Sequence, residues 1–310
     1  MATESTIPVL RRLALPQTAR KSPVCTLASF WALTKPDINI LIAITVFFSF
    51  ALAAHFHQNV PLPRLLNAVL GTLFVSSGAA ALNQFMERRL DGLMRRTARR
   101  PVVIRGVSPQ TALIFGVCCS AIGIVYLGIV VNPLSSLLAA AALGIYLGLY
   151  TPLKRVTPLC TWVGAIAGAA PPLIGWAAAS GSLSEPGAWI LYTILFLWQF
   201  PHFMAIAWMY REDYDRAGYM ILPPCQKRCR FAAIQSVFPA LLLIPCSMMS
   251  TLSGVAGNIY LGGALLLGIG FAYYAIRLAI ARTNSAARRL LFASIIYLPS
   301  LLGLMVFDKY

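Results

Sequence analysis

The amino-acid sequence predicts an all-α, polytopic membrane protein: nine transmembrane helices in one bundle, around a central cavity that opens to the cytoplasmic face. Three observations predict it. Of 310 residues, 59% are hydrophobic and only 11% are charged, whereas soluble domains carry about 25% charged residues. The mean hydropathy is positive, and nine apolar runs come close to the roughly 20 residues that a helix needs to cross a bilayer. With the N-terminus placed in the cytoplasm, every Lys and Arg except Arg64 and Lys309 falls on the cytoplasmic side, which is the asymmetry that orients membrane proteins.

The chain before the first run, residues 1–34, is a basic, flexible cytoplasmic tail. It carries Arg11, Arg12, Arg20 and Lys21 but no long apolar stretch before a cleavage site, so it is not a secretory leader. Glu4 and the modest serine content weigh against a mitochondrial transit peptide and favour a cell inner membrane. Residues 35–310 form a single intramembrane domain.

The first run, 38–54, is uninterrupted. The second, 65–82, continues without a break into Asn83, Glu87 and Asp91, spaced four apart, and then into Arg95, Arg96, Arg99 and Arg100. The third and fourth, 109–131 and 134–150, are joined by an uncharged turn around Asn132 and Pro133. After the fourth comes Tyr150-Thr-Pro-Leu-Lys154-Arg155, with two cations and a hydroxyl held beside a proline. The fifth, 161–179, is rich in small residues and broken by Pro171-Pro172. The sixth, 188–209, contains His202 beside the kinking Pro201 and ends in a second acidic cluster, Glu212, Asp213 and Asp215. Runs 231–252, 259–277 and 290–307 complete the bundle.

Seven of the nine acidic residues share the basic side. Basic loops after membrane helices are ordinarily just orienting charge, but carboxylates contribute little to orientation and point to function. Asn83, Glu87 and Asp91 line one helix face and aim oxygens in one direction. Mg²⁺ is typically held by one or two carboxylates, waters and phosphate oxygens, so this ladder beside arginines reads as a metal–diphosphate cradle. Arg96, Arg100, Lys154 and Arg155 are the candidate diphosphate contacts. His202 has two readings, a functional intramembrane ionisable group or a hydrogen-bonded structural histidine. The small residues of the fifth run suit close helix packing, and its double proline also frees backbone groups, which are tolerated where they are buried or line a cavity.

The net charge of +16 does not indicate nucleic acid, because the basic residues fall between apolar runs and form no continuous stripe. The seven cysteines show no disulfide framework, and Cys225 with Cys229 lacks the second pair that a zinc site needs.

Asn83-x-x-x-Glu87-x-x-x-Asp91, Arg96-Thr97-x-x-Arg100-Pro101, Tyr150-Thr-Pro-Leu-Lys154-Arg155, Gly168-Ala-x-Pro171-Pro172-x-x-Gly175-Trp176 and Trp198-Gln-x-Pro201-His202-Phe carry a resemblance. The chain resembles the protohaem IX farnesyltransferase branch of the UbiA-type intramembrane prenyltransferase superfamily, from about Lys35 through the last helix. It departs from the superfamily pattern where Glu87 replaces an aspartate and where Met209 stands in place of the first aspartate of the second motif.

The resemblance implies transfer of a farnesyl group from farnesyl diphosphate to a vinyl group of haem B, with hydration, to give haem O. It implies a lipid-embedded site in which Mg²⁺ is the cofactor, held by Asn83, Glu87, Asp91 and Asp213. It also implies haem contacts from His202, Arg211 and Arg216, and neighbours such as haem A synthase or oxidase-assembly factors. The alternatives are a prenyltransferase acting on a quinone precursor or chlorophyllide, and a transporter of an anionic substrate.

Overall fold

A computed structural model describes residues 26–57, 60–223 and 225–309, with the side chains of 225–227 excepted. Most of the tail expected over 1–34 therefore lies outside the described residues. Its last part is a short helix, α1 (Leu27–Leu33), capped by the Thr26 hydroxyl and anchored by the fully buried Leu33.

Nine helices among the described residues are long and apolar enough to cross a membrane, so the chain is a multi-pass membrane protein. They are α2 (Pro36–Phe56), α3 (Leu62–Asp91), α4 (Pro109–Tyr126) with a π-helical end, α5 (Pro133–Gly144) likewise, the α7 (Cys160–Gly168) and α8 (Ala170–Ser180) pair, α9 (Pro186–Met209), α11 (Cys225–Leu252), α12 (Asn258–Ala281) and α13 (Asn284–Phe307). Two short helices, α6 (Thr151–Leu153) and α10 (Arg211–Ala217), follow α5 and α9. The π turns, Leu127–Val131 and Ile145–Tyr150, were not anticipated from the sequence.

Proline marks the starts. It occupies the first turns of α2, α3, α4, α5, α8 and α9, where its missing N–H costs nothing. The break expected at Pro171-Pro172 falls just before them, at Ala169, between α7 and α8. Pro201, expected to kink, stays inside an unbroken α9.

In lipid, helices associate by close packing rather than by escape from water, so small residues decide the contacts. A Cβ on Gly175 would lie 2.5 Å from the Val46 carbonyl oxygen, which is why α8 can press against α2. On Gly168 it would meet the Gln199 amide, whose Nε2 donates to the Ala165 carbonyl beside the helix break. α3 packs along α4, α9 lies against α11 and α13, and α13 touches α2, closing the bundle. The fifth span is its most buried member, and Trp176 and Ile174 lie at its core.

Candidate active site

α3 is 30 residues long, about 45 Å of helix at 1.5 Å per residue. That exceeds a bilayer core of about 30 Å. Its last turns therefore carry Asn83, Glu87 and Asp91 to the basic face. All three are buried on one side, as the spacing predicts.

Buried carboxylates need partners, and the chain supplies them. Glu87 Oε1 accepts from Lys154 Nζ at 2.8 Å, and Asp91 Oδ2 accepts from Arg100 Nη1 at 2.5 Å. Arg100 also stands 4.0 Å from Glu87 Oε2. Burial alone would lower the Lys154 pKa, but the Glu87 carboxylate beside it raises it overall, so this lysine is held charged. Its ammonium also lies over the Tyr150 ring, 4.4 Å from the centroid.

Two further residues join this cluster that sequence reasoning missed. Lys35 Nζ donates to Asn83 Oδ1 at 3.2 Å, and Asn83 Nδ2 reaches Thr151 Oγ1 at 3.4 Å. Lys35 has left-handed backbone, φ 54°, directly before Pro36. This turn between α1 and α2 brings its ammonium inward. Burial first, then the Arg100 and Lys154 cations, bring the Lys35 pKa down to about 7. Its one signal in the sequence was the Lys-Pro step before the first run, which positive-inside orientation explained equally well. Tyr219 has a buried hydroxyl facing Glu87. Burial, then the Glu87 and Asp91 charges, push its phenol far above its ordinary pKa.

The second acidic cluster is tethered to the first. Asp213 is buried on α10; its Oδ2 accepts from the Arg96 backbone N–H and its Oδ1 from Arg216, each at 3.2 Å. Arg216 also donates to the Leu93 carbonyl at 3.4 Å, and the Arg96 guanidinium to the Tyr214 hydroxyl at 3.2 Å. Thr97 donates to the Asp91 backbone carbonyl at 2.9 Å. The loop from Asp91 to Thr97 thus ties both clusters to one face. The Met220 N–H adds a bond of 2.7 Å to the Lys154 carbonyl.

The structure nevertheless divides the expected four-residue metal set. Among the described residues no three His, Cys, Asp or Glu side chains come together as metal ligands. Asn83, Glu87 and Asp91 form one group, and Asp213 belongs to another with Arg96 and Arg216. The reason is electrostatic: each buried carboxylate has its own cation, and these cations lie among the carboxylates.

A divalent cation still fits the first group. Among the described residues Asp91 Oδ1 is buried without a hydrogen-bond partner, and Glu87 Oε2 stands 4.0 Å from Arg100 Nη1, beyond hydrogen-bond distance. Two unsaturated carboxylate oxygens are the usual protein share for Mg²⁺, phosphate and water providing the rest.

Other expected residues are placed differently. Arg155 is exposed and has no ion-pair partner among the described residues. Asp215 is exposed and paired with Arg228 at 2.7 Å. Arg211 donates to the Trp208 carbonyl and to Asn284 Oδ1, both at 2.7 Å. His202 faces α13, where Nδ1 lies 2.8 Å from Ser294 Oγ, and its ring stacks on Trp198. A cavity of about 380 Å³ opens beside the second cluster, lined by Arg95, Arg96, Met209, Tyr210, Glu212 and Asp213. It lies where the loop after α3 meets α10; the central cavity expected from the sequence is not shown among the described residues.

The chain is similar in sequence and fold to known proteins. The UbiA prenyltransferase family profile matches residues 42–296. A Solibacter usitatus protein called protoheme IX farnesyltransferase is 48% identical over 89% of this chain and 97% of its own. One of the same name from Koribacter versatilis is 38% identical over 97% and 98%. Among solved structures, a digeranylgeranylglyceryl phosphate synthase is similar in fold with a TM-score of 0.73, at 16% identity over 91% of this chain and 98% of its own. A UbiA homolog from Archaeoglobus fulgidus bound to GPP and Mg2+ has a TM-score of 0.62, at 15% identity over 89% and 99%.

Proposed function

The chain belongs to the UbiA prenyltransferase family, and from that premise we propose that it transfers the farnesyl group of farnesyl diphosphate to a vinyl side chain of haem B, giving haem O. The observation that carries the transfer chemistry is the buried Asn83, Glu87 and Asp91 face set among Lys35, Lys154 and Arg100. The identity of the acceptor is supported by relatives called protoheme IX farnesyltransferase at up to 48% identity.

Asn83, Glu87 and Asp91 would hold Mg²⁺, which when bound neutralises diphosphate charge and so promotes its departure. Arg100 and Lys154 are cations already ordered around the place where that charge grows, so little reorganisation accompanies ionisation, and Lys35, whose pKa burial brings down to about 7, stands beside them as a hydrogen-bond donor that the diphosphate charge would hold protonated. Arg96, fastened by Asp213 and Tyr214, adds charge at the rim. The carbon–oxygen bond breaks with its electron pair leaving on the diphosphate. The vinyl π electrons of haem then bond to the allylic carbon. Water captures the cation left beside the porphyrin ring and loses a proton. Tyr150, held against Lys154, and Tyr146, tilted beside it with ring centroids 5.5 Å apart, are aromatic rings suited to the allylic cation.

His202 is the haem-facing candidate. Ser294 Oγ donates to the Leu291 carbonyl at 2.6 Å, so it accepts from His202 Nδ1–H and leaves the lone pair on Nε2, the state that a metal ligand requires. In this reading Arg211 and Arg216 meet the propionates, and the basic face is the cytoplasmic side of a cell inner membrane. Gathering of the charged groups at one membrane face favours an enzyme over a transporter, whose binding groups lie near the midplane.

Purified protein in detergent, given farnesyl diphosphate, haem B and Mg²⁺, is expected to form a species of the haem O mass, and chelation of the metal should stop it. Reaction only with a phenolic acceptor would overturn the haem assignment while leaving prenyl transfer intact.

A further inference from the structure

A second concave region lies away from the acidic clusters, between α12 and α13. It is a groove of about 610 Å³ with apolar walls that include Leu266, Phe292 and Ile296. The buried and stacked Phe271 and Tyr297, with ring centroids 4.9 Å apart, form its floor. Gly270 gives it depth, since a Cβ there would have no atom within 4 Å. Arg288 and Arg289, both exposed, close its basic-face end. Neither has a carboxylate at ion-pair distance among the described residues.

The lining runs from Leu266 to Tyr274 on α12 and from Arg288 to Tyr297 on the antiparallel α13, roughly 12 Å of helix rise. That is close to one leaflet, about half of a 30 Å hydrocarbon core. The walls suit an acyl chain, and the two arginines stand at the level of phospholipid headgroups. Phe292, 66% exposed, and Leu266, 73% exposed, leave the groove open to the bilayer rather than to the interior of the bundle. Clustered basic residues at this height attract anionic headgroups.

We propose that this groove binds one phospholipid with an anionic headgroup, its phosphate on Arg288 and Arg289 and an acyl chain along Gly270 and Phe271. The site is separate from the prenyl-transfer cluster and does not depend on which acceptor is prenylated.

Native mass spectrometry of the full chain, titrated in detergent with phosphatidylglycerol or phosphatidylcholine, tests it. One phosphatidylglycerol is expected to be retained in preference to phosphatidylcholine. Replacing both arginines (R288Q with R289Q) should weaken retention about thirtyfold. Gly270→Phe should weaken it while keeping the arginines, by filling the groove. Both variants should keep the wild-type elution and prenyl-transfer rate, which separates loss of lipid from loss of fold. Equal retention of the two lipids, undiminished phosphatidylglycerol binding in the double variant, or displacement of the lipid by stoichiometric haem B would overturn the proposal.

Discussion

The two acidic clusters of the basic face differ in how they are built. Glu87 and Asp91 sit on a long membrane helix, both buried, Glu87 paired with Lys154 from a distant loop and Asp91 with Arg100, nine residues on. Asp213 sits on a short helix and is as buried as Glu87, but its partners are the backbone N–H of Arg96, from the loop after α3, and the exposed Arg216, three residues on. Glu212 and Asp215 beside it are exposed as well. In a low-dielectric setting an ordered charge acts strongly on another, whereas water screens an exposed partner such as Arg216. The first cluster thus holds its charges under strong mutual influence, and the second fastens the loop that carries Arg96.

Substitutions can break that contrast or sharpen it. The largest loss is expected for Glu87→Gln and Asp91→Asn, about 10² to 10³-fold in haem O formation. Glu87→Gln should also lower stability by about 3 kcal/mol in denaturant titration, since Lys154 would be left buried without its counter-charge. Full turnover in both would remove these residues from the mechanism. Asp213→Asn should cost about thirtyfold in kcat/KM, by loosening Arg96 and Arg216; a loss as large as that of Asp91→Asn would mean the clusters act as one. Lys35→Met should raise the KM for farnesyl diphosphate roughly tenfold with little change in kcat, the loss of one charged hydrogen bond to bound substrate. Arg155→Gln should change steady-state rates less than about twofold, as befits an exposed cation.

Much of this was legible from residue order. Seven of the nine spans lie within a few residues of the apolar runs, while the second continues past its run to Asp91 and the last begins earlier, at Asn284, because a bilayer demands length and apolarity that local sequence provides but leaves the polar ends of a helix open. The Asn83, Glu87 and Asp91 face was legible for a similar reason: one helix fixes the direction of residues four apart. The π turns and the course of α9 through Pro201 were not, since neighbouring helices set the backbone there. Lys35 was hidden as well, 48 residues from the Asn83 it touches.

Sequence by itself determined that the chain lies in a membrane, how often it crosses and on which face its charge gathers, because these depend on composition and period. Tertiary structure alone decided which cation meets which carboxylate. It placed Lys154 on Glu87, Arg100 on Asp91 and the Arg96 backbone on Asp213, and left Arg155 outside. The physical reason is that a buried charge is stabilised by whatever packing brings within about 4 Å, and packing between distant helices has no local signature in the chain.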